Sequence, residues 1–484
     1  MKLYDAKANL ATGITYLDPQ KRADIHSGAL EILQDIGFDV HHEEALELLK
    51  KANAYVDGNH VCIQPSLVEW ALKQAPSTIM LYNREGEPAM LLQGRNAYFG
   101  TGSDCPNIVD TFTGERRKWT VDDVVNAVRL VDSLPAVDFT MSMGLVDELN
   151  PKTHYQQQYA IMIRNTVKPQ VIIAENAQCL DDVCQIAAAV RGGMDELSRK
   201  PLFVLYDEPT SPLVNTEEAL EKLLYMAEHR LPTNYACGMM SGSTGPITLA
   251  GAVCLATAEN LMGLVIHQLK NPGAPFVFGG GMSNTDMVSM QPSYTSPEAM
   301  MTQGALTEMG RDMYSLPTWG FAGCSNSKVA DEQAMNDAAT YIWHSGLNGT
   351  NINHDLGYLE FGLAFSFDLL VMCNEVVSQL RRVFDGVVVD RENLAIDAIR
   401  RVGPGNHFLG DEHTFKHFNE NWRPDLFDRN LYDKWVEDGR TTMGARVKER
   451  IKETLATYEP KALPADVDAK IDAVLAGIEA RYQA

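Results

Sequence analysis

The chain has 484 residues, 45% of them hydrophobic and 22% charged, a composition that excludes disordered, collagen-like and fibrous classes. Lys and Arg number 41 against 64 Asp and Glu, a formal charge of −23. Such a chain repels phosphate backbones and anionic lipid, so neither nucleic acid nor a membrane is expected as a partner.

At about 100 to 200 residues per domain, this length suits two or three domains or one large α/β barrel with extensions. Eight cysteines are scattered without a C-x-x-C pair, which reads as a reducing compartment rather than a disulfide framework. The stretch Met1-Lys2-Leu3-Tyr4-Asp5-Ala6-Lys7 lacks the apolar core of a signal peptide. No run is read as approaching the roughly 20 uncharged apolar residues that span a bilayer. A cytoplasmic enzyme or large binding protein is expected.

Residues 1–95 read as a helical extension with one small extended piece, since 23–36 and 43–54 carry apolar residues at helical spacing. Beyond residue 95, β-rich apolar runs at 97–103, 137–143, 170–175, 202–207, 234–239, 275–280, 318–323 and 350–354 alternate with helical patterns. The helical patterns cover 121–133, 155–165, 180–190, 217–229, 249–269, 298–314, 331–344 and 359–383. Thr120 before Val121-Asp122-Asp123 and Ser296-Pro297-Glu298 are helix-start signals. Eight strand–helix units predict a (β/α)8 TIM barrel over 96–400, against an open doubly wound sheet. The tail, 401–484, has a Pro/Gly/His-rich loop and helices over 431–455 and 464–482 that would pack on the barrel.

In such a barrel the site forms where the strands end. The run ends supply Asp104, Glu175, Asp207, Glu208, Cys324, Asn353, His354 and Asp355, with glycines at 238, 242, 245, 279–281 and 323. Asp104 either caps a turn or faces the site. Glu208 could hold a cationic ligand or a loop salt bridge. His354 is the one histidine that ends a strand run. Tyr98, Phe99, Tyr206, Trp319, Phe321, Tyr358, Phe361 and Phe365 flank these positions. Ring faces attract a quaternary ammonium, although any single ring is as well explained by core packing. No phosphate-binding loop, dinucleotide fingerprint or zinc-ligand spacing is present. His407, His413 and His417 beside Glu412 match no standard metal set and read as a surface cluster.

Four segments carry a family resemblance. They are Ala322-Gly323-Cys324-Ser325-Asn326-Ser327-Lys328 with Asp331-Glu332-Gln333-Ala334, and Asp110-Thr111-Phe112-Thr113-Gly114-Glu115-Arg116-Arg117 with Thr120 and Asp122-Asp123. The others are Gly245-Pro246-Ile247-Thr248-Leu249-Ala250-Gly251 with Ala258-Glu259, and Gly403-Pro404-Gly405-Asn406-His407-Phe408-Leu409 with His413-Thr414 and His417-Phe418. Together they resemble the trimethylamine methyltransferase superfamily, whose fold is a (β/α) barrel. The trimethylamine enzymes carry pyrrolysine where this chain aligns Cys324, so the chain resembles the non-pyrrolysine branch. That branch implies demethylation of a quaternary amine such as glycine betaine, proline betaine, carnitine or γ-butyrobetaine, in anaerobic one-carbon metabolism related to methanogenesis.

The methyl acceptor implied by the resemblance is the cob(I)alamin of a separate corrinoid protein, and no cofactor is expected on this chain, which lacks the corrinoid-binding D-x-H-x-x-G motif. In this reading Asp104 and Glu208 place negative charge near the cationic head. Tyr98, Phe99, Trp319, Tyr358 and Phe361 form its cage. Asn353 and His354 bind a substrate carboxylate, and Cys324 lines the pocket without acting as a nucleophile. A homo-oligomer is expected, as for most soluble enzymes. The rival readings are a barrel lyase or isomerase with Glu208 and His354 as acid and base, and a non-catalytic betaine-binding subunit.

Overall fold

Seven short apolar segments pair side by side, all parallel: β1 (Tyr98–Phe99), β2 (Gln170–Ile172), β3 (Phe203–Asp207), β4 (Thr233–Tyr235), β5 (Phe276–Gly279), β6 (Thr318–Phe321) and β7 (Ile352–His354). The computed structural model describes residues 13–483. The sheet order is β1-β7-β6-β5-β4-β3-β2, so the last strand returns to pair with the first, Ile352 opposite Tyr98 and Asn353 opposite Phe99. Helices fill the connections and cover the outer face, as parallel crossovers require. The result is a curled parallel sheet wrapped in helices.

The run at 137–143, expected as a full strand, makes only single parallel bridges, Phe139 to Gly100 and Thr140 to Gln170. Side chains replace ladder partners there. Phe99 N–H donates to Asp138 Oδ2 at 2.8 Å and Met141 N–H to Thr101 Oγ1 at 2.9 Å. The helix expected over 359–383 begins only at Phe367. Its first turns are taken by a hairpin of Tyr358–Leu359 with Ala364–Ser366, which pairs in turn with Ile108–Val109. Both expected start signals are present. Thr120 and Asp123 form a reciprocal capping box, and Ser296 caps a helix that opens on Pro297. The tail helix expected over 431–455 is two helices, Tyr432–Glu437 and Met443–Thr457.

The N-terminal region holds more extended chain than its pattern suggests. Phe38–Val40, Tyr55–Asp57 and His60–Cys62 form a small sheet completed by Val214–Asn215 from the loop after β3. The hairpin Ile79–Tyr82 with Pro88–Leu92 stops the lower end of the sheet's interior, packing Ile79, Leu81, Met90 and Leu92 against Tyr98, Phe139, Val171, Val204, Val277, Trp319 and Ile352. The helix Leu249–Lys270 departs from the sequence expectation: it is long and apolar enough to cross a membrane. Packing accounts for it, because it lies buried among the helices Pro19–Glu31, Pro65–Gln74, Glu217–Glu228 and Pro297–Glu308.

Because the hairpin fills the sheet's interior, it should unfold together with the sheet. Leu92→Ala, at a fully buried position, should cost about 3 kcal/mol in urea unfolding. A separate early transition for the hairpin would contradict this shared core.

Candidate functional site

A cavity of about 670 Å³ opens where the parallel strands end. Strand side chains alternate between faces, and β3 shows how this populates the cavity. Val204 and Tyr206 face the interior cluster, while Phe203 and Leu205 join the helix-side core. Asp207 ends the strand in the cavity lining, its Oδ1 2.9 Å from Lys222 Nζ on the helix Glu217–Glu228. Glu208 returns inward and accepts a short hydrogen bond from the Tyr206 hydroxyl.

Carboxylates dominate the polar lining. Asp104 sits in the left-handed region at φ 59°, its Oδ1 accepting from Ser142 Oγ at 2.8 Å and its Oδ2 from Tyr155 OH at 3.4 Å. Burial pushes its carboxyl up to about 6, with those hydroxyls opposing. Burial likewise lifts Asp207 to about 6 against the pull of Lys222. Glu208 is exposed to the cavity yet enclosed by protein. That enclosure raises its pKa, while the Tyr206 hydroxyl and His354 oppose the rise.

On β7, His354 Nδ1 lies 2.6 Å from Asp355 Oδ1. His354 Nε2 has no hydrogen-bond partner among the described residues. Gly102 makes room for this pair, since a Cβ there would stand 2.3 Å from Asp355 Oδ1. Lys222, the one lysine of the lining, is held by Asp207 and by the Ala174 carbonyl at 3.1 Å.

Aromatic rings complete the enclosure. Phe321 stands opposite His354 in the β6–β7 register, with ring centroids 4.8 Å apart. Trp319 and Tyr206 reach the same imidazole at 4.8 and 5.8 Å. Tyr294 stacks on Phe321 at 5.2 Å and 15°. Gly281 is required beneath them, because a Cβ would come within 2.6 Å of the Phe321 ring. Tyr358 is fixed by donating to the Ser103 carbonyl, and Phe361 lies in a tight turn at φ 46°.

Of the residues singled out by sequence, Asp104, Glu208, His354, Tyr358 and Phe361 line this cavity. Trp319 is fully buried behind it, against His354 and Tyr206. Four expectations are corrected. Tyr98 points into the interior but at its lower end, where its hydroxyl accepts from Leu91 N–H. Phe99, one residue on, faces the helix-side core. Asn353 has the wrong parity and donates to the Tyr98 and Thr350 carbonyls. Cys324 follows a left-handed Gly323 into the core and is not part of the lining, its thiol raised well above the usual range by burial.

Tyr206 and Phe321, flagged in the sequence only as flanking aromatics, are walls of the cavity, and the period of two from Glu208 and Trp319 is their signal. Tyr294 comes from a hairpin between β5 and the next helix, Tyr155 and Lys222 from helices; no local pattern marks them. His413 and His417 stack at 4.3 Å outside the cavity, His417 against Glu392 and Glu420. Among the described residues no cluster of His, Cys, Asp and Glu has metal-binding geometry.

Comparison with known proteins adds to this geometry. Residues 4–481 match the family trimethylamine methyltransferase (MTTB). The chain is 33% identical over 458 residues to the glycine betaine methyltransferase of Desulfitobacterium hafniense, covering 93% of this chain and 94% of that protein. It is 30% identical over 472 residues to the trimethylamine methyltransferase MttB of the same species, covering 97% and 95%. The monomethylamine methyltransferase MtmB of Methanosarcina barkeri shares the fold, with a TM-score of 0.55 at 11% identity over 97% of this chain and 88% of that one. The chain therefore belongs to the trimethylamine methyltransferase family and is a methyltransferase.

Proposed function

We propose that the chain transfers a methyl group from a quaternary amine to the cob(I)alamin of a cognate corrinoid protein. The single observation that carries this reading is the cavity itself, in which Phe321, Tyr294, Tyr206 and Tyr358 surround a space also faced by Asp104 and Glu208. Ring faces and carboxylates together suit a trimethylammonium head, each ring contributing about 0.5 to 2 kcal/mol. Residues 96–400 act as the catalytic barrel, which 138–140 closes between β1 and β2. Within the extensions 1–95 and 401–484, the described residues brace it from below and outside.

The chemistry needs few groups. A quaternary nitrogen is already positive, so when the methyl carbon departs the C–N electron pair stays on nitrogen and the amine leaves neutral. The reduced corrinoid supplies the electron pair for the new bond to carbon. No proton moves, and the chain's residues have only to orient one methyl toward the open mouth and exclude water. His354, with Nε2 unpartnered, would receive the substrate's other end. The resemblance to glycine betaine methyltransferase favours a betaine, with proline betaine, carnitine and γ-butyrobetaine as further members of the class.

The test is anaerobic incubation with chemically reduced cobalamin and glycine betaine, proline betaine, carnitine, γ-butyrobetaine, choline or trimethylamine. Absorbance should report cobalt methylation with a quaternary amine and none with trimethylamine; methylation by trimethylamine alone would refute the reading. Phe321→Ala should raise KM for the active amine roughly tenfold, the loss of one ring face, with a smaller effect on kcat.

The carboxylates also predict a pH dependence. A cation is held only while Asp104 and Glu208 are ionised, so KM should climb as pH falls through about 6, and Asp104→Asn should flatten that limb. In the free protein the sign is opposite. An acid whose folded pKa is raised favours the fold below its unfolded value near 3.9, and that contribution is lost as pH rises through about 6. A bound cation offsets the loss, so the amine should raise Tm more at pH 7.5 than at pH 5.5.

A further inference from the structure

A small sheet stands above the cavity, separate from the seven-stranded one. Met240–Ser241, from the loop after β4, pairs with Ser283–Thr285, which turns back as the hairpin strand Pro292–Ser293. Its base belongs to the cavity wall, since Met240, Ser283 and Tyr294 all line it. Its tip does the opposite of what an exposed turn in an acidic protein is expected to do. Met287, Val288 and Met290 are 59%, 94% and 63% exposed, beside Ile247 at 59%.

Residues 239–248 and 283–295 hold one charged residue between them, Asp286, in a chain that is 22% charged. That carboxylate is spent within the turn. It accepts from Val288 N–H at 2.8 Å and Ser289 Oγ at 2.9 Å, while the Asp286 carbonyl accepts from Met290 N–H at 2.7 Å. Met290 is held in the left-handed region at φ 57°, a conformation a methionine rarely adopts. The turn thus presents thioether and valine side chains outward with a single carboxylate, Asp286, tied to its own backbone.

We infer that this tip is the landing surface for the protein that brings the methyl acceptor, a corrinoid protein with an apolar face around its cofactor; the inference rests on the function proposed above. Three observations select this occupant. The cavity wall offers no thiol to take the methyl group, because Cys105 and Cys324 are buried outside the lining and burial raises both thiols. The acceptor must therefore arrive through the mouth, over which the tip stands. A charge-depleted, methionine-bearing patch has the composition of an interface core and adapts to a partner's contour. The chain as a whole carries a net charge of −23, so this patch is where a partner's apolar face meets the least charge. Docking here would also bear on the hairpin that leads to Tyr294, whose ring is stacked against Phe321 in the aromatic wall.

The experiment compares the wild-type chain with the triple variant Met287→Ser, Val288→Ser, Met290→Ser. Two acceptors are used: free reduced cobalamin, and a purified, cobalamin-loaded protein carrying D-x-H-x-x-G. Binding of that protein is read separately by calorimetry. The variant should methylate free cobalamin within twofold of wild type, while its Kd and KM for the corrinoid protein rise at least tenfold. Unchanged Kd, equal loss with both acceptors, or a wild-type chain that uses free cobalamin yet binds no corrinoid protein would each overturn the inference. So would a wild-type dimer in sedimentation that the variant dissociates, since the tip would then serve a second copy. A wild type that methylates neither acceptor would instead refute the proposed function.

Discussion

In a parallel sheet the backbone ladder fixes which face each side chain takes, and a shift of one residue reverses every assignment. The mouth of this protein is set by that constraint. The register that places Ile352 opposite Tyr98 and Phe321 opposite His354 sends residues 204, 206 and 208 inward from one strand and 319, 321, 352 and 354 from two others. The same register turns Phe99 and Asn353 away. Much of the cavity's chemistry follows from these parities, a histidine among rings and a glutamate above a tyrosine, with the Asp207–Lys222 ion pair in the lining beside them.

The electrostatics of the cavity fit the demands of losing a positive charge. A substrate that begins as a cation and ends as a neutral amine is slowed by any anion that grips the cation too firmly, because that attraction fades toward the transition state. Here the carboxylates are moderated. Asp104 shares its charge with the hydroxyls of Ser142 and Tyr155, and Glu208 with that of Tyr206. Enclosure lifts both toward their neutral forms. Ring faces, whose attraction is softer and less directional, supply the rest. In the function proposed above, the arrangement would hold a cation without pinning it.

The alternation of β-rich and helical runs made the parallel architecture legible, and the ends of those runs located Asp104, Glu208 and His354. What misled was choosing neighbours instead of next-but-one residues. Phe99 and Asn353 adjoin residues that face inward, and parity alone would have replaced them by Tyr206 and Phe321. Other differences lie beyond local pattern. The hairpin at 358–366 displaces the first turns of an apparent helix because it pairs with Ile108–Val109, far away in the chain, and Tyr294 reaches Phe321 only through the fold. The family resemblance predicts Cys324 in the lining, but a left-handed glycine carries it into the core.

The hairpin between residues 283 and 293 joins two tasks that could have been separate. A cavity that must shed water before methyl transfer, yet stay open for a bulky acceptor, cannot be sealed by its own lid. The docking inferred above would let the acceptor be the lid. One strand pair then presents a charge-poor tip outward and leads to a tyrosine inward, so that contact with the tip and packing of the ring against Phe321 would be linked through a few residues of paired backbone. In that arrangement water exclusion would be tied to the one moment when the acceptor is present, and the quaternary amine would stay solvated and unreactive at all others.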